Sequence, residues 1–230
     1  MFKERTPRWI LVGAFLLTLG AGAVNSVGFL GVHHQGISHL TGTISLVSTR
    51  LAAANFQDAA AAGMIVVSFF FGTFLSALII RQSTLHMGRR YGVVLTLESA
   101  LLFGAVYLFE GGTVAGAYLA SVACGLQNAM ATSYSGAVIR STHMTGIVTD
   151  MGIACGHLLR GQAVDWFRMR LYAVLLGGFA LGGVAGAWGF ARIGYRTLIF
   201  PATLSGATGL GYTLYKQWQR MRGTQRKAAA

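Results

Sequence analysis

The chain contains a long run without charged residues near its start. Residues 9–31 are 23 consecutive positions without Asp, Glu, Lys or Arg. An α-helix rises 1.5 Å per residue, and about 20 apolar residues cross the ~30 Å hydrocarbon core of a bilayer. A cleaved signal peptide is the alternative, because Ala21, Gly22 and Ala23 follow a basic start and an apolar stretch. The apolar run continues beyond those small residues, so it predicts a first transmembrane helix.

The composition agrees with a bilayer as the solvent of this chain. Charged residues make up 10% of the positions and hydrophobic residues 54%, whereas an average globular protein has about 25% charged residues. The cysteines, Cys124 and Cys155, have no spacing typical of a disulfide scaffold or a zinc site. Five further segments are long and apolar enough to cross: 59–80, 91–109, 113–131, 171–191 and 197–215.

Two more helical segments, 41–57 and 145–163, carry charged residues, such as Arg50 in the first and Asp150 in the second. If neither segment crosses, one side of the membrane receives 15 of the 18 basic residues and the other side three. If both cross, the two sides receive 11 and 6, and Arg50 lies in lipid. The first arrangement predicts six crossings with both termini in the cytoplasm. The net charge of +12 is then a topology signal and not a nucleic-acid footprint.

The chain also contains an internal repeat. The segment GAVNSVGFLGVHHQGISHLTG, at 22–42, aligns with GLQNAMATSYSGAVIRSTHMTG, at 125–146, when one gap is allowed. The repeat predicts two halves, 1–111 and 112–216, followed by a basic cytoplasmic tail at 217–230. Each half has three crossings, which is an odd number, so the second half enters the membrane from the opposite side. The identities are Gly22 with Gly125, Asn25 with Asn128, His39 with His143, Thr41 with Thr145, and Gly42 with Gly146.

The fold class expected from these patterns is an all-α, polytopic membrane helix bundle. It has six transmembrane spans, two short broken or re-entrant helices at 41–57 and 145–163, and an inverted internal repeat. Unpaired backbone groups of broken helices are tolerated only where they are buried in protein or line a hydrated cavity.

The motifs HLTGTISL and HMTGIVTDMG, together with GLQNA at 125–129, resemble the YoaK-type family of uncharacterised bacterial multi-pass inner-membrane proteins. The resemblance extends from about residue 9 to about residue 215. It implies a multi-spanning protein of the inner membrane and supplies no substrate or mechanism. One position departs from the family pattern, because Thr43 stands where the resemblance leads us to expect Asn after the glycine.

The repeated polar residues are the candidates for a substrate or ion path. A Thr followed by a Gly suits a helix start, with the hydroxyl capping free N–H groups, and such a start either lines a cavity or caps an interfacial helix. His39 and His143 are expected either to form hydrogen bonds or handle protons beside the motifs, or to pack at the membrane interface. A metal site is the less favoured alternative, because His33, His34 and the others lack ligand spacing. The candidates are Asn25, His39, Thr41, Gly42, Glu98, Asn128, His143, Thr145, Gly146 and Asp150.

Two acids among these candidates lie in apolar surroundings. Glu98 is placed within the segment 91–109, where a carboxyl group either relays protons or bonds a neighbouring helix. Asp150 follows Gly146 by one helical turn, on the same face as the motif. The alternative for Asp150 is a structural ion pair with Arg140 or Arg160.

The leading hypothesis is a small-solute or ion transporter or channel-like protein, with proton coupling through Asp150 or Glu98 as an addition. The alternative is a structural or regulatory membrane protein that docks a partner helix. Its docking surface would be a ridge of one helix that has glycine at every fourth position. We expect this ridge to pack against another helix of the same chain rather than to form a homodimer interface. No enzyme, cofactor or metal is expected, because no nucleophile, base and electrophile come together in the sequence. The ridge consists of Gly178, Gly182 and Gly186.

Overall fold

The structure, a computed structural model, describes residues 8–31, 36–80, 89–135 and 141–228. These residues form helices and connecting turns without a strand, so the predicted all-α class is confirmed. The predictions for His33, His34 and Arg140 concern positions outside the described residues. The helices are α1 (Arg8–Gly31), α2 (Leu40–Ala52), α3 (Phe56–Ile79), α4 (Arg89–Glu110), α5 (Ala115–Ser135), α6 (Met144–Leu159), α7 (Trp166–Ile193) and α8 (Ile199–Ala228), with a 3-10 turn at Gly194–Leu198.

Four stretches of the described residues are long and apolar enough to cross a membrane. The first three coincide with α1, α3 and α4, and the fourth joins α7 to the apolar part of α8. The presence of apolar helices of membrane-spanning length is therefore confirmed. The four stretches are Ile10–Gly31, Phe56–Ile79, Arg90–Glu110 and Trp166–Tyr215.

Helix α5, which corresponds to the predicted span 113–131, is not among these four stretches. It contains Gln127 and Asn128 besides three serines, one threonine and two glycines, which lower its hydropathy. Many of its side chains are buried against neighbouring helices, including Gln127 at 3% exposure. A helix enclosed by protein does not need the apolar surface that a lipid-facing helix needs.

The two short helices, α2 and α6, have 13 and 16 residues. Both are shorter than the ~20 residues that a crossing needs. They end earlier than the predicted segments because the chain turns sharply after each of them, with positive φ at Ala54 (56°) and at Gly161 (69°). The next long helix then begins earlier than predicted in both cases. Asn55 and Asp165 cap those helix starts by accepting hydrogen bonds from backbone N–H groups.

The long helices pack in pairs, with α1 on α7, α3 on α5, and α4 on α8. In the first pair, glycine allows the two backbones to touch. A Cβ atom added to Gly22 would collide with the carbonyl oxygen of Phe179, and one added to Gly182 would collide with the carbonyl oxygen of Leu19. Small residues at such crossings permit close approach, which drives helix association in a bilayer.

The pair of α3 and α5 repeats this contact at matching positions. A Cβ atom added to Gly125 would collide with the carbonyl oxygen of Phe69, and one added to Gly72 would collide with that of Val122. Gly125 aligns with Gly22 in the sequence repeat. At each crossing, each of the two helices therefore places one glycine against the backbone of the other helix.

Helices α1 and α5 run in opposite directions. Val24 and Val27, in the C-terminal half of α1, share a buried cluster with Ala117, near the start of α5. Ala14, in the N-terminal half of α1, shares another cluster with Ala131, near the end of α5. The two helices that carry the aligned residues Asn25 and Asn128 are therefore antiparallel.

Aromatic and charged residues tie three helix ends together at one end of the bundle. Tyr195 stacks on Phe109 with ring centroids 4.0 Å apart, and its hydroxyl donates a hydrogen bond of 2.6 Å to the carbonyl of Gly31. Arg196 forms an ion pair of 2.8 Å with Glu110.

At the C-terminus, α8 continues to Ala228, so most of the predicted tail 217–230 extends the last helix.

Candidate functional site

The histidine and the threonine of both histidine-threonine-glycine motifs line one cavity of about 800 Å³, which we call the central cavity. Gly42 and Gly146 are not part of its wall. Residues of α1, α3, α5 and α7 complete its wall. Its lining is polar at the motifs and aromatic at two matching phenylalanines. The residues that line it are Asn25, Ser38, His39, Leu40, Thr41, Phe69, Thr73, Asn128, Ala129, Thr132, Ser133, Thr142, His143, Met144, Thr145 and Phe179.

Asn25 fixes the chain just before α2. Its Oδ1 atom accepts a hydrogen bond of 3.0 Å from the hydroxyl of Ser38 and one of 3.3 Å from the backbone N–H of Ser38. In the second half, Oδ1 of Asn128 accepts a hydrogen bond of 3.4 Å from the hydroxyl of Thr142. Each asparagine of the repeat therefore holds the start of a short helix against a long helix.

The short helices begin one residue earlier than the Thr-Gly pairs. His39 and His143 occupy the N-cap positions of α2 and α6, with nearly the same backbone angles, and neither side chain makes a cap hydrogen bond. Thr41 and Thr145 are the second residues of their helices, not their caps as expected.

The glycines of the motifs make room for the histidine rings. A Cβ atom added to Gly42 would lie 2.8 Å from Nδ1 of His39, and one added to Gly146 would collide with the ring of His143. The ring thus folds over the first turn of its helix in both copies. This contact gives a physical reason for a glycine three residues after each histidine.

The first copy of the motif borders a further cavity of about 400 Å³. Asn25 and His39 line both this cavity and the central cavity, while Gly42 and Leu46 line only the smaller one. Thr43 also borders it; its buried hydroxyl donates to the carbonyl of His39 at 3.2 Å. The side chains of Asn25 and His39 therefore lie where the two cavities meet.

Asp150 lies outside the wall of the central cavity. Its Oδ2 atom accepts a hydrogen bond of 2.8 Å from the hydroxyl of Tyr172, at the contact between α6 and α7. Together with His157 and Arg168 it borders a separate cavity of about 230 Å³. The ion pairs among the described residues do not include Asp150, and its alternative partner Arg140 falls outside them.

Glu98 is also separate from the central cavity and is 3% exposed. Its Oε1 atom accepts hydrogen bonds from Nε2 of Gln127, at 2.8 Å, and from the hydroxyl of Ser205, at 3.0 Å. Its Oε2 atom has no hydrogen-bond partner among the described residues. Sequence reasoning missed Ser205, although the pattern Thr-Leu-X-X-Ala occurs at both 96–100 and 203–207 and could have pointed to it.

The three glycines of the predicted ridge on α7 face α1. Gly178 lies against Thr18, Gly182 against the backbone of Leu19, and Gly186 against the backbone of Ala23. These contacts occupy the ridge within one chain. The described residues also contain no group of three or more His, Cys, Asp or Glu side chains that could hold a metal ion.

The family model of proteins of unknown function, DUF1275, matches residues 13–211. The chain belongs to the DUF1275 family. The match includes both motifs, the central cavity and the Glu98 site of this DUF1275 protein. No curated protein and no solved structure matches it, so the YoaK-type name stays a prediction.

Proposed function

We propose that this DUF1275 protein is an inverted repeat of six membrane crossings in a bacterial inner membrane, with both termini in the cytoplasm. The matching glycine contacts of α1 with α7 and of α5 with α3 support the repeat. The opposite directions of α1 and α5 support its inversion. The asymmetric distribution of basic residues supports the orientation.

We infer that the protein conducts or transports a small solute or ion through the central cavity. The observation that carries this proposal is that both motifs line one cavity of about 800 Å³. Helices that are interrupted at the two motifs bring backbone and side-chain polar groups into an otherwise apolar body. In membrane transporters such interruptions lie at the interface of repeats and form the substrate site. The substrate is unidentified.

Proton coupling, through Asp150 or Glu98, is a further part of the proposal. Both acids are outside the wall of the central cavity, so either would act through a helix and not by touching the substrate there. No catalytic residue and no cofactor are assigned.

The docking of a partner helix on the glycine ridge has less support. Gly178, Gly182 and Gly186 are already in contact with α1, so a partner would have to displace one of the helices of the bundle. A free apolar ridge would have favoured this alternative.

The proposal can be tested in vesicles that contain the purified protein. Osmotic shrinkage and reswelling would be followed by light scattering with glycerol, urea and sodium chloride as probes. We expect faster permeation than in protein-free vesicles for at least one probe, and a large loss of that permeation in Thr41→Trp and Thr145→Trp, because the indole would fill the central cavity.

Ser45→Trp is the matched control, since Ser45 is exposed on α2 and does not line the cavity. Its permeation should equal that of the unmodified protein. Equal permeation in all the tryptophan variants would remove the central cavity from the path. Unchanged permeation in Asp150→Asn would remove Asp150 from the mechanism.

A further inference from the structure

Glu98 combines deep burial with an oxygen atom that has no partner. Its two hydrogen bonds, from Gln127 and Ser205, both end on Oε1, which leaves Oε2 without a partner among the described residues. A helix-packing role would need only the oxygen that is already bonded. The second oxygen is therefore available for another ligand.

The surroundings of Glu98 do not balance a negative charge. None of the ion pairs among the described residues involves Glu98. The neighbouring titratable group on α5 is the thiol of Cys124, and α8 presents the hydroxyl of Ser205. A carboxylate without a cation in such a place is strongly unfavourable, and this cost is removed when the group takes up a proton. The ligand that fits Oε2 is thus a proton.

Glu98 and Ser205 occupy equivalent positions of a second repeated pattern. The pattern Thr-Leu-X-X-Ala has Glu98 at its third position in α4 and Ser205 at its third position in α8. These two side chains are hydrogen-bonded to each other, where α4 packs on α8. In this contact the first copy of the pattern supplies a carboxyl group, and the second copy supplies a hydroxyl that donates a hydrogen bond to it.

A cavity is bordered by one member of this pair, Ser205, and not by Glu98. It has a volume of about 300 Å³, and Ser205 borders it together with Tyr91, Tyr212 and Gly13. The rest of its wall is apolar apart from Thr208. Ser205 therefore both borders this cavity and donates its hydroxyl hydrogen bond to Glu98, which makes it the residue that links the carboxyl group to the cavity.

Helix α5 connects the Glu98 site to the central cavity. Gln127 donates its hydrogen bond to Glu98, while the adjacent Asn128 lines the central cavity and accepts a hydrogen bond from Thr142. A change in the bond between Gln127 and Glu98 would shift the helix that carries Asn128. This connection gives a physical route from the state of Glu98 to the start of α6.

We propose that Glu98 is the proton-binding group of this protein, that it exchanges its proton through the 300 Å³ cavity beside Ser205, and that α5 couples it to the central cavity. The coupling part rests on the proposed transport function. Proton binding at Glu98 does not, because it can be measured without any transported solute.

The test uses dicyclohexylcarbodiimide, an apolar reagent that modifies protonated carboxyl groups. The carboxyl proton passes to a nitrogen of the reagent while the carboxylate oxygen bonds to its central carbon, and the adduct then rearranges to a stable acylurea. The full-length protein in lipid vesicles would be treated at several pH values and its peptides analysed by mass spectrometry. We expect labelling at Glu98 that decreases by roughly tenfold per pH unit once the carboxyl group is mostly ionised.

Glu110 provides an internal control, because it is paired with Arg196 at 2.8 Å and should remain unlabelled. Gly13→Phe tests the route: Gly13 borders the cavity, and a Cβ atom there would meet nothing within 4 Å, so the ring can fill the space. Gly63→Phe is the matched control, since Gly63 has equally open surroundings elsewhere. Labelling of Glu98 should fall several-fold in Gly13→Phe and stay unchanged in Gly63→Phe.

Absence of labelling at Glu98 in the folded protein at acidic pH would overturn the proton site. Equal labelling in both phenylalanine variants would overturn the route. Both results would leave permeation through the central cavity unaffected, so failure of this proposal is distinguishable from failure of the transport function. Size-exclusion chromatography before labelling shows that each variant is folded.

Discussion

Two asparagines at corresponding positions each hold the start of a short helix. We predict that Asn25→Ala increases amide hydrogen exchange at Ser38 by roughly ten- to a hundredfold, because the loss of a buried hydrogen-bond acceptor costs about 1–3 kcal/mol. Ser38 is 5% exposed, and its N–H and hydroxyl both donate to Asn25. Exchange measured by mass spectrometry in detergent checks this. Ser45→Ala is the control, since its hydroxyl bonds only to Thr41 of its own helix; equal exchange at Ser38 in both variants would contradict the role of Asn25.

Two glycines of α7, Gly177 and Gly182, form a matched pair for substitution. A Cβ atom at Gly182 would collide with the carbonyl oxygen of Leu19, whereas one at Gly177 would meet nothing within 4 Å. We predict that Gly182→Ala lowers stability by about 1–3 kcal/mol through overpacking. Gly177→Ala should be neutral or stabilising by up to about 1 kcal/mol, because alanine favours the helix. Thermal unfolding in detergent measures both, and equal midpoints would show that the crossing is not close-packed.

Residue patterns predicted which polar residues meet, but not all of their roles. The repeat singled out the asparagines, histidines and threonines that line the central cavity. The repeat did not reveal that His39 is the N-cap residue, because the sequence alone allows the helix to start at either His39 or Thr41. The position of Asp150 depended on Tyr172, which lies 22 residues further along and on another helix. Contacts of that kind follow from packing and not from local spacing.

Helix α5 shows where hydropathy alone does not identify a helix of the bundle. We predict that the segment of α5, Ala115–Ser135, inserts poorly when it is placed alone in a host membrane protein, whereas α3, Phe56–Ile79, inserts efficiently. The reason is that Gln127 and Asn128 find partners only in the folded bundle. A glycosylation reporter for translocation measures the inserted fraction. Replacing both residues with leucine should raise insertion of α5, and no change would contradict this explanation.

The short helices α2 and α6 end at turns that the sequence predicts only in part. Gly161 at positive φ is a common helix end, whereas Ala54 at positive φ is not. The caps Asn55 and Asp165 then fix the starts of α3 and α7. These starts fall outside the apolar runs, which explains why hydropathy alone placed both long helices too late.

The predicted fold class depended on two independent patterns in the sequence: apolar runs and repeated polar motifs. The runs gave the helical bundle. The motifs indicated that two distant parts of the chain come together, as they do at the central cavity. The pairing of α4 with α8 had no such signal in our sequence reasoning, because the pattern Thr-Leu-X-X-Ala is short and differs at its functional position, Glu98 against Ser205.

The proposed inversion of the two halves leads to the last prediction. Gln57 follows the turn after α2, and Gln162 lies in the connection after α6; both are exposed. In a background with Cys124→Ala and Cys155→Ala, we expect Gln57→Cys to react with a membrane-impermeant maleimide added outside intact cells. Gln162→Cys should react only after the membrane is permeabilised, because the basic residues that follow it are expected in the cytoplasm. Reaction of both cysteines from the same side would rule out the inverted repeat, and transport through a cavity between inverted halves with it.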